Sequence, residues 1–244
     1  EDIDKKAETF FWTEKEEDGI KVLHHNFFTS GIGYLKVLFN TSVLPQEDLP
    51  YAGLLKSVLG SISTEHYSYS DLTSEIHLNS GGMDFSVTSY ANLQDAEQFT
   101  GAFVASIRVL YDKLDFGFTM LEEILNHSVF TDEKRLGEVI QETRSRARMK
   151  LENAGHSTAV SRATSYFSAT AYYNELTGGT AYYHFLEQLE KDYPAKKQEI
   201  IAKLQEVSRK LFTRSNMLVN YTADENGYEK LPETLKLLSA KLPE

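Results

Sequence analysis

The chain has seven histidines and no cysteine, which excludes thiolate metal sites, disulfides and a cysteine nucleophile and leaves the redox compartment open. His24 and His25 are adjacent in a stretch that reads as a strand, so they point to opposite faces and cannot chelate one ion together. His66, His77, His127, His156 and His184 are each isolated in sequence and read as surface or satisfied core histidines. No Gly-x-Ser-x-Gly elbow, Walker loop or dinucleotide fingerprint is present. A hydrolase acting without metal would have to assemble its triad from distant residues. Fourteen tyrosines and fourteen phenylalanines invite a peptide-binding reading, most of all Tyr166, Tyr172, Tyr173, Tyr182 and Tyr183 around Gly178-Gly179, because a tyrosine has an apolar ring and a polar tip. Packing of helix on helix uses the same properties and is the reading preferred here. Arg144, Arg146, Arg148 and Lys150 could hold an anionic group, but their spacing reads first as a solvated helix face.

The elements that must position these side chains follow from periodicity. Tyr51, Leu54, Leu55, Val58, Leu59 and Ile62 make one apolar stripe at the helical period over residues 49–62, with Pro50 near the start, where a missing N–H costs little. Residues 20–28 and 34–44 read as a hairpin turning at Ser30-Gly31-Ile32-Gly33. A short helix capped by Ser70 or Asp71 ends at Gly81-Gly82. Strands over 83–90 and 99–110 precede a helix over 112–126. Thr131 or Asp132 caps a long polar helix to about residue 153, whose acidic start and basic end complement its dipole. Gly155-His156-Ser157 breaks it, and one helix is expected over 158–174. Another starts at Tyr182 and is interrupted by Pro194, then resumes over 200–212. A strand over 215–222 and a terminal helix through Leu235, Leu238 and Leu242 complete the order. The expectation is α+β, with helices packed on a mixed or antiparallel sheet. It divides into an extended lead-in over 1–19, pinned by Phe10-Phe11-Trp12 to the domain or a neighbour, and one domain over 20–244.

A net charge of -11 disfavours nucleic acid and anionic membrane surfaces as partners. No apolar run approaches the ~18–20 residues that span a bilayer, and the first residues lack the basic and apolar regions of a signal peptide. The expected location is cytoplasmic. The first residue is Glu1 rather than Met, and a piece of a longer polypeptide is expected.

The helix over 49–62, with the strand before it, resembles the first motif of the pitrilysin/insulinase family of zinc peptidases, the inverzincins. There such a helix carries His-x-x-Glu-His, followed in the presequence-protease branch by Ser-Val-Leu. Ser57-Val58-Leu59 keeps that tail, which puts the histidine positions at Ala52 and Lys56 and the glutamate at Leu55. Two histidines four apart share a zinc ion while the glutamate serves as general base. An alanine offers no lone pair, a leucine takes no proton and a lysine adds positive charge. The words Asp-Ile-Asp-Lys-Lys-Ala-Glu resemble the opening of the second half of presequence proteases. Glu138-Val139-Ile140-Gln141-Glu142 is similar to the stretch that supplies the third zinc ligand, which makes Glu142 the ligand equivalent.

The resemblance implies a pitrilysin-like unit, the third in its polypeptide, with no catalytic residue, no metal ligand and no cofactor of its own, while zinc belongs to the catalytic unit of the parent enzyme. Its function would be non-catalytic support in a zinc-dependent oligopeptidase that degrades unfolded peptides. It would form chamber wall and inter-domain contacts, with other domains of the same polypeptide and the parent's peptide substrate as partners. The alternative is a free-standing binding or scaffold protein that kept the fold without the zinc site.

Overall fold

The computed structural model describes residues 11–92, 94–95 and 98–244. In chain order the elements are β1 (Thr13–Glu17), β2 (Ile20–Asn26), β3 (Ile32–Asn40), α1 (Leu49–Val58), α2 (Tyr69–Asn79), β4 (Met83–Ala91) and β5 (Phe99–Leu110). There follow α3 (Leu114–His127), α4 (Glu133–Asn153), α5 (Gly155–Thr164), α6 (Ala169–Gly178), α7 (Thr180–Leu211), β6 (Met217–Ala223), α8 (Glu225–Tyr228) and α9 (Leu231–Ser239). The architecture is the expected α+β arrangement on a mixed sheet of six strands in the order β1-β2-β6-β3-β5-β4.

Alternation sets the two faces of that sheet, because successive strand side chains point opposite ways. Val22, Leu35, Val37, Phe39, Phe103, Ala105, Ile107, Val219 and Tyr221 are buried and join one apolar core with α1, α3, α4, α7 and α9. Lys21, Tyr34, Lys36, Asn40 and Arg108 alternate with them and are exposed on the other face. His24 is on the buried face, its Nε2 3.0 Å from the Ala223 carbonyl, and His25 is on the other.

The strands β2 and β3 are not a hairpin. β6 lies between them, parallel to β2 and antiparallel to β3. Gly31, at φ +83, makes the turn, but the chain steps over one strand position, which the C-terminal strand fills. A second correction concerns the lead-in. Residues 13–17 pair with β2 in register Thr13↔His24 to Glu17↔Ile20 and form an edge strand, so the sheet begins before residue 20. Phe11 and Trp12 are 77% and 60% exposed and do not pin this segment to the described residues; the segment 1–10 lies outside those residues.

Among the helices, the single one expected over 158–174 is two. α5 starts at the very glycine read as a breaker, and α6 restarts after Ser168, whose side chain accepts from the Ala171 amide. A serine N-cap inside an apolar-periodic stretch was the available signal. α2 is capped by Ser68 rather than Ser70 or Asp71. α4 is capped by Asp132. Pro194 does not end α7. The helix continues through a bend whose non-helical residue is Lys196, because the ring removes one N–H and clashes one turn back without preventing the turns beyond.

Candidate functional site

α1 opens with Pro50 in its first turn and closes at Leu59, whose amide reaches the Leu55 carbonyl. Gly60, at φ +76, then turns the chain away, so the stripe's last member, Ile62, is buried from outside the helix. Just before the helix, the buried Asp48 carboxylate meets the Lys203 ammonium at 2.8 Å and fixes α1 to α7. Gly53 lets α1 approach α6 closely. A Cβ there would stand 2.8 Å from the Thr177 carbonyl oxygen and 2.9 Å from the Tyr182 ring.

Ala52 and Leu55 are fully buried in the core, while Lys56 is half-buried and points to the end of α6. Its Nζ donates to the Thr177 carbonyl at 3.0 Å and lies 5.4 Å from the centre of the Tyr182 ring. A C-terminal carbonyl of a helix has no partner within the helix, and Lys56 supplies one. Burial, with Lys150 nearby, brings the Lys56 pKa down to about 8.

Glu142 faces solvent on α4 and pairs with Arg146 at 3.0 Å and Arg135 at 3.7 Å. Arg144 pairs with Glu190 and Arg148 with Glu152, which accounts for most of the basic cluster as a solvated, paired face. A zinc ion does not fit this set. Ala52 and Leu55 have no donor atom, Lys56 is a cation bonded elsewhere, and Glu142 is held by two arginines. Among the described residues, no three His, Asp or Glu side chains are placed to hold a metal ion.

Two histidines isolated in sequence are neighbours in space, which the one-dimensional reading could not reach. The rings of His66 and His127 are 5.4 Å apart, edge to face. His66 meets Glu123 through Nδ1 at 2.9 Å. His127 stands between Glu65, 2.8 Å from Nδ1, and Glu122, 3.2 Å from Nε2. With a carboxylate at each nitrogen the ring is a double donor, the imidazolium form. Burial alone would lower its pKa, but Glu65, Glu122 and Glu123 together raise it.

The tyrosines divide. Tyr182 and Tyr173 are packing residues; Tyr173 bonds Thr41 at 2.9 Å, and burial raises its pKa to about 12. Tyr183 bonds Glu187, Tyr172 bonds Gln46, and Tyr166 is 76% exposed. They do not form one peptide-binding cluster.

The fold and this apolar, lysine-bearing helix define an α+β unit of peptidase type without a competent metal centre. The profile of the family described as associated with peptidase M16, subfamily C, matches residues 1–189, and the chain belongs to that family. Protein HypA of Clostridium perfringens is 36% identical over 99% of this chain, which spans 25% of that relative. Presequence protease 1, chloroplastic/mitochondrial, of Arabidopsis thaliana is 27% identical over 98% of the chain and 22% of its own length. The chain thus spans about a quarter of these relatives. A crystal structure described as the peptidase M16 inactive domain from Pseudomonas fluorescens superposes with a TM-score of 0.65 at 16% identity. It is covered over 51% of its length, by 95% of this chain, and shares the fold. The chain is a non-catalytic domain of this peptidase family.

Proposed function

We propose that this chain is a supporting unit of a larger zinc-dependent oligopeptidase, contributing chamber wall and inter-domain contacts while zinc, general base and water belong to another unit of the same polypeptide. The observation that carries this is α1. It keeps the Ser57-Val58-Leu59 tail, yet its motif positions are used for packing by Ala52 and Leu55 and for closing α6 by Lys56. Relatives four to five times as long supply the room for a catalytic unit elsewhere. The partners are other domains of the polypeptide and its unfolded peptide substrate, in a cytoplasmic setting.

The test is cleavage of an unstructured fluorogenic peptide by the chain alone, and by the chain mixed with the polypeptide region that precedes it. The expected result is an inert chain and activity that appears or rises on mixing. Cleavage by the chain alone, insensitive to chelators, would overturn the proposal and move the search to a metal-independent site.

A further inference from the structure

Lys56 and Lys150 line one cavity of about 410 Å³, bounded by α1, α4, α5, α6 and the edge strand β4. The two ammonium groups are close enough for Lys150 to disfavour the charge on Lys56. Among the described residues neither has a carboxylate within ion-pairing distance. An ammonium has three donors, and Lys56 uses one on Thr177. Burying unpaired charge is costly, and placing two like charges in one partly closed space adds to that cost. Every other cation of the same helix face, Arg144, Arg146 and Arg148, is paired.

The neutral lining has the same polarity. Asn174 accepts from Ser89 through its Oδ1 at 3.0 Å, which leaves its amide N–H groups to donate. The Ser161 hydroxyl lines the same space. Glu175 also borders it, but its carboxylate already accepts from Arg162 at 3.3 Å and from the Ala181 amide at 3.2 Å. Donors outnumber acceptors, and the volume falls within the ~300–1,000 Å³ of small-molecule sites.

We propose that this cavity binds the oxyanionic group of a small ligand, with Lys56 and Lys150 as a cationic clamp and Asn174 and Ser161 as neutral donors. An oxyanion between the ammonium groups reverses the sign of their mutual effect, since each then faces an opposite charge. The ligand chemistry is a carboxylate or phosphate, and the site is independent of the supporting role proposed above.

The experiment is an amide ¹H–¹⁵N titration of the 244-residue chain at pH 7, below the Lys56 pKa of about 8, with ionic strength held by sodium chloride. The probes are inorganic phosphate, acetate, and trialanine with a free or an amidated C-terminus. Saturable shifts at Ser161, Asn174, Gly178 and Gly179 are expected. Saturation by phosphate alone assigns a phosphorylated ligand; saturation by acetate and free-acid trialanine, and not the amide, assigns a carboxylate. Lys150→Gln, an exposed position, should weaken binding about tenfold, as for loss of one charge-assisted hydrogen bond, and Lys150→Arg should restore it. Lys56→Met should abolish saturation; if that variant does not fold, the Lys150 pair still decides. Shifts that never saturate with any probe, or an affinity unchanged in Lys150→Gln, would overturn the site.

Discussion

Lys56 occupies a histidine position of a metal motif, and its own chemistry has a measurable cost. Its folded pKa of about 8 lies below the ordinary 10.5, so between those values the unfolded chain binds the extra proton and stability rises with pH. The gap is worth at most about 3 kcal/mol. Urea unfolding of wild type and Lys56→Met from pH 7 to 10.5 should show the difference moving toward the wild type by up to that amount; a flat difference would mean that the ammonium is not desolvated. His127 carries the opposite sign. Its pKa is raised in the fold, where Glu65, Glu122 and Glu123 outweigh the opposing effect of burial. Its contribution is therefore complete below the ordinary value of about 6.5 and is lost as pH rises through the higher folded value. Wild type should exceed His127→Gln in stability at pH 6 by more than at pH 9, and an imidazole titration followed by NMR should give a midpoint above the ordinary histidine value. A midpoint below it would show that the three carboxylates do not control the ring.

At the scale of elements, α1 was legible because its stripe and its Ser57-Val58-Leu59 tail are local patterns. What those patterns could not give is the partner of each face. Gly53 looks like a helix-weakening residue in sequence, and becomes necessary only because the Thr177 carbonyl and Tyr182 ring lie against it. Gly53→Ala forces α1 and α6 apart, and overpacking of this kind costs about 1–3 kcal/mol. Thermal and chemical unfolding should show that loss, together with changed amide shifts at Thr177 and Gly178; wild-type stability would mean that the helices separate freely. The supposed β2–β3 hairpin failed for the same reason. A turn at Gly31 is local, whereas the insertion of β6 joins residues almost 200 positions away in sequence, as in the pairing Lys21↔Leu218. The His66–His127 pair was invisible on the same ground. Its Glu122 and Glu123 partners lie on α3, and His66 reaches them only through the loop before α2.

For the whole molecule, an apolar core occupies one side of the sheet while apolar side chains also remain at the surface. Around the ends of β3 and β5, Leu78, Tyr34 and Leu110 border a cavity of about 500 Å³ and are 79%, 44% and 58% exposed. Phe11, Trp12, Phe28, Tyr166 and Phe167 add exposed aromatics elsewhere. Contiguous exposed apolar surface marks a contact with another protein surface, and a unit that spans a quarter of its relatives has neighbours to supply one. Removed from such neighbours, the patch has an identical patch on a second copy as its available partner. Sedimentation equilibrium of the 244-residue chain should therefore give a weight-average mass that rises with concentration above the 27.7 kDa monomer. Leu78→Ser and Leu110→Ser together should return it toward the monomer, because they remove apolar area from exposed positions without opening the core. A mass independent of concentration would show that this surface does not self-associate. A rise unchanged in the double variant would place the contact on another surface, with the aromatic group at Tyr166 and Phe167 the next to substitute.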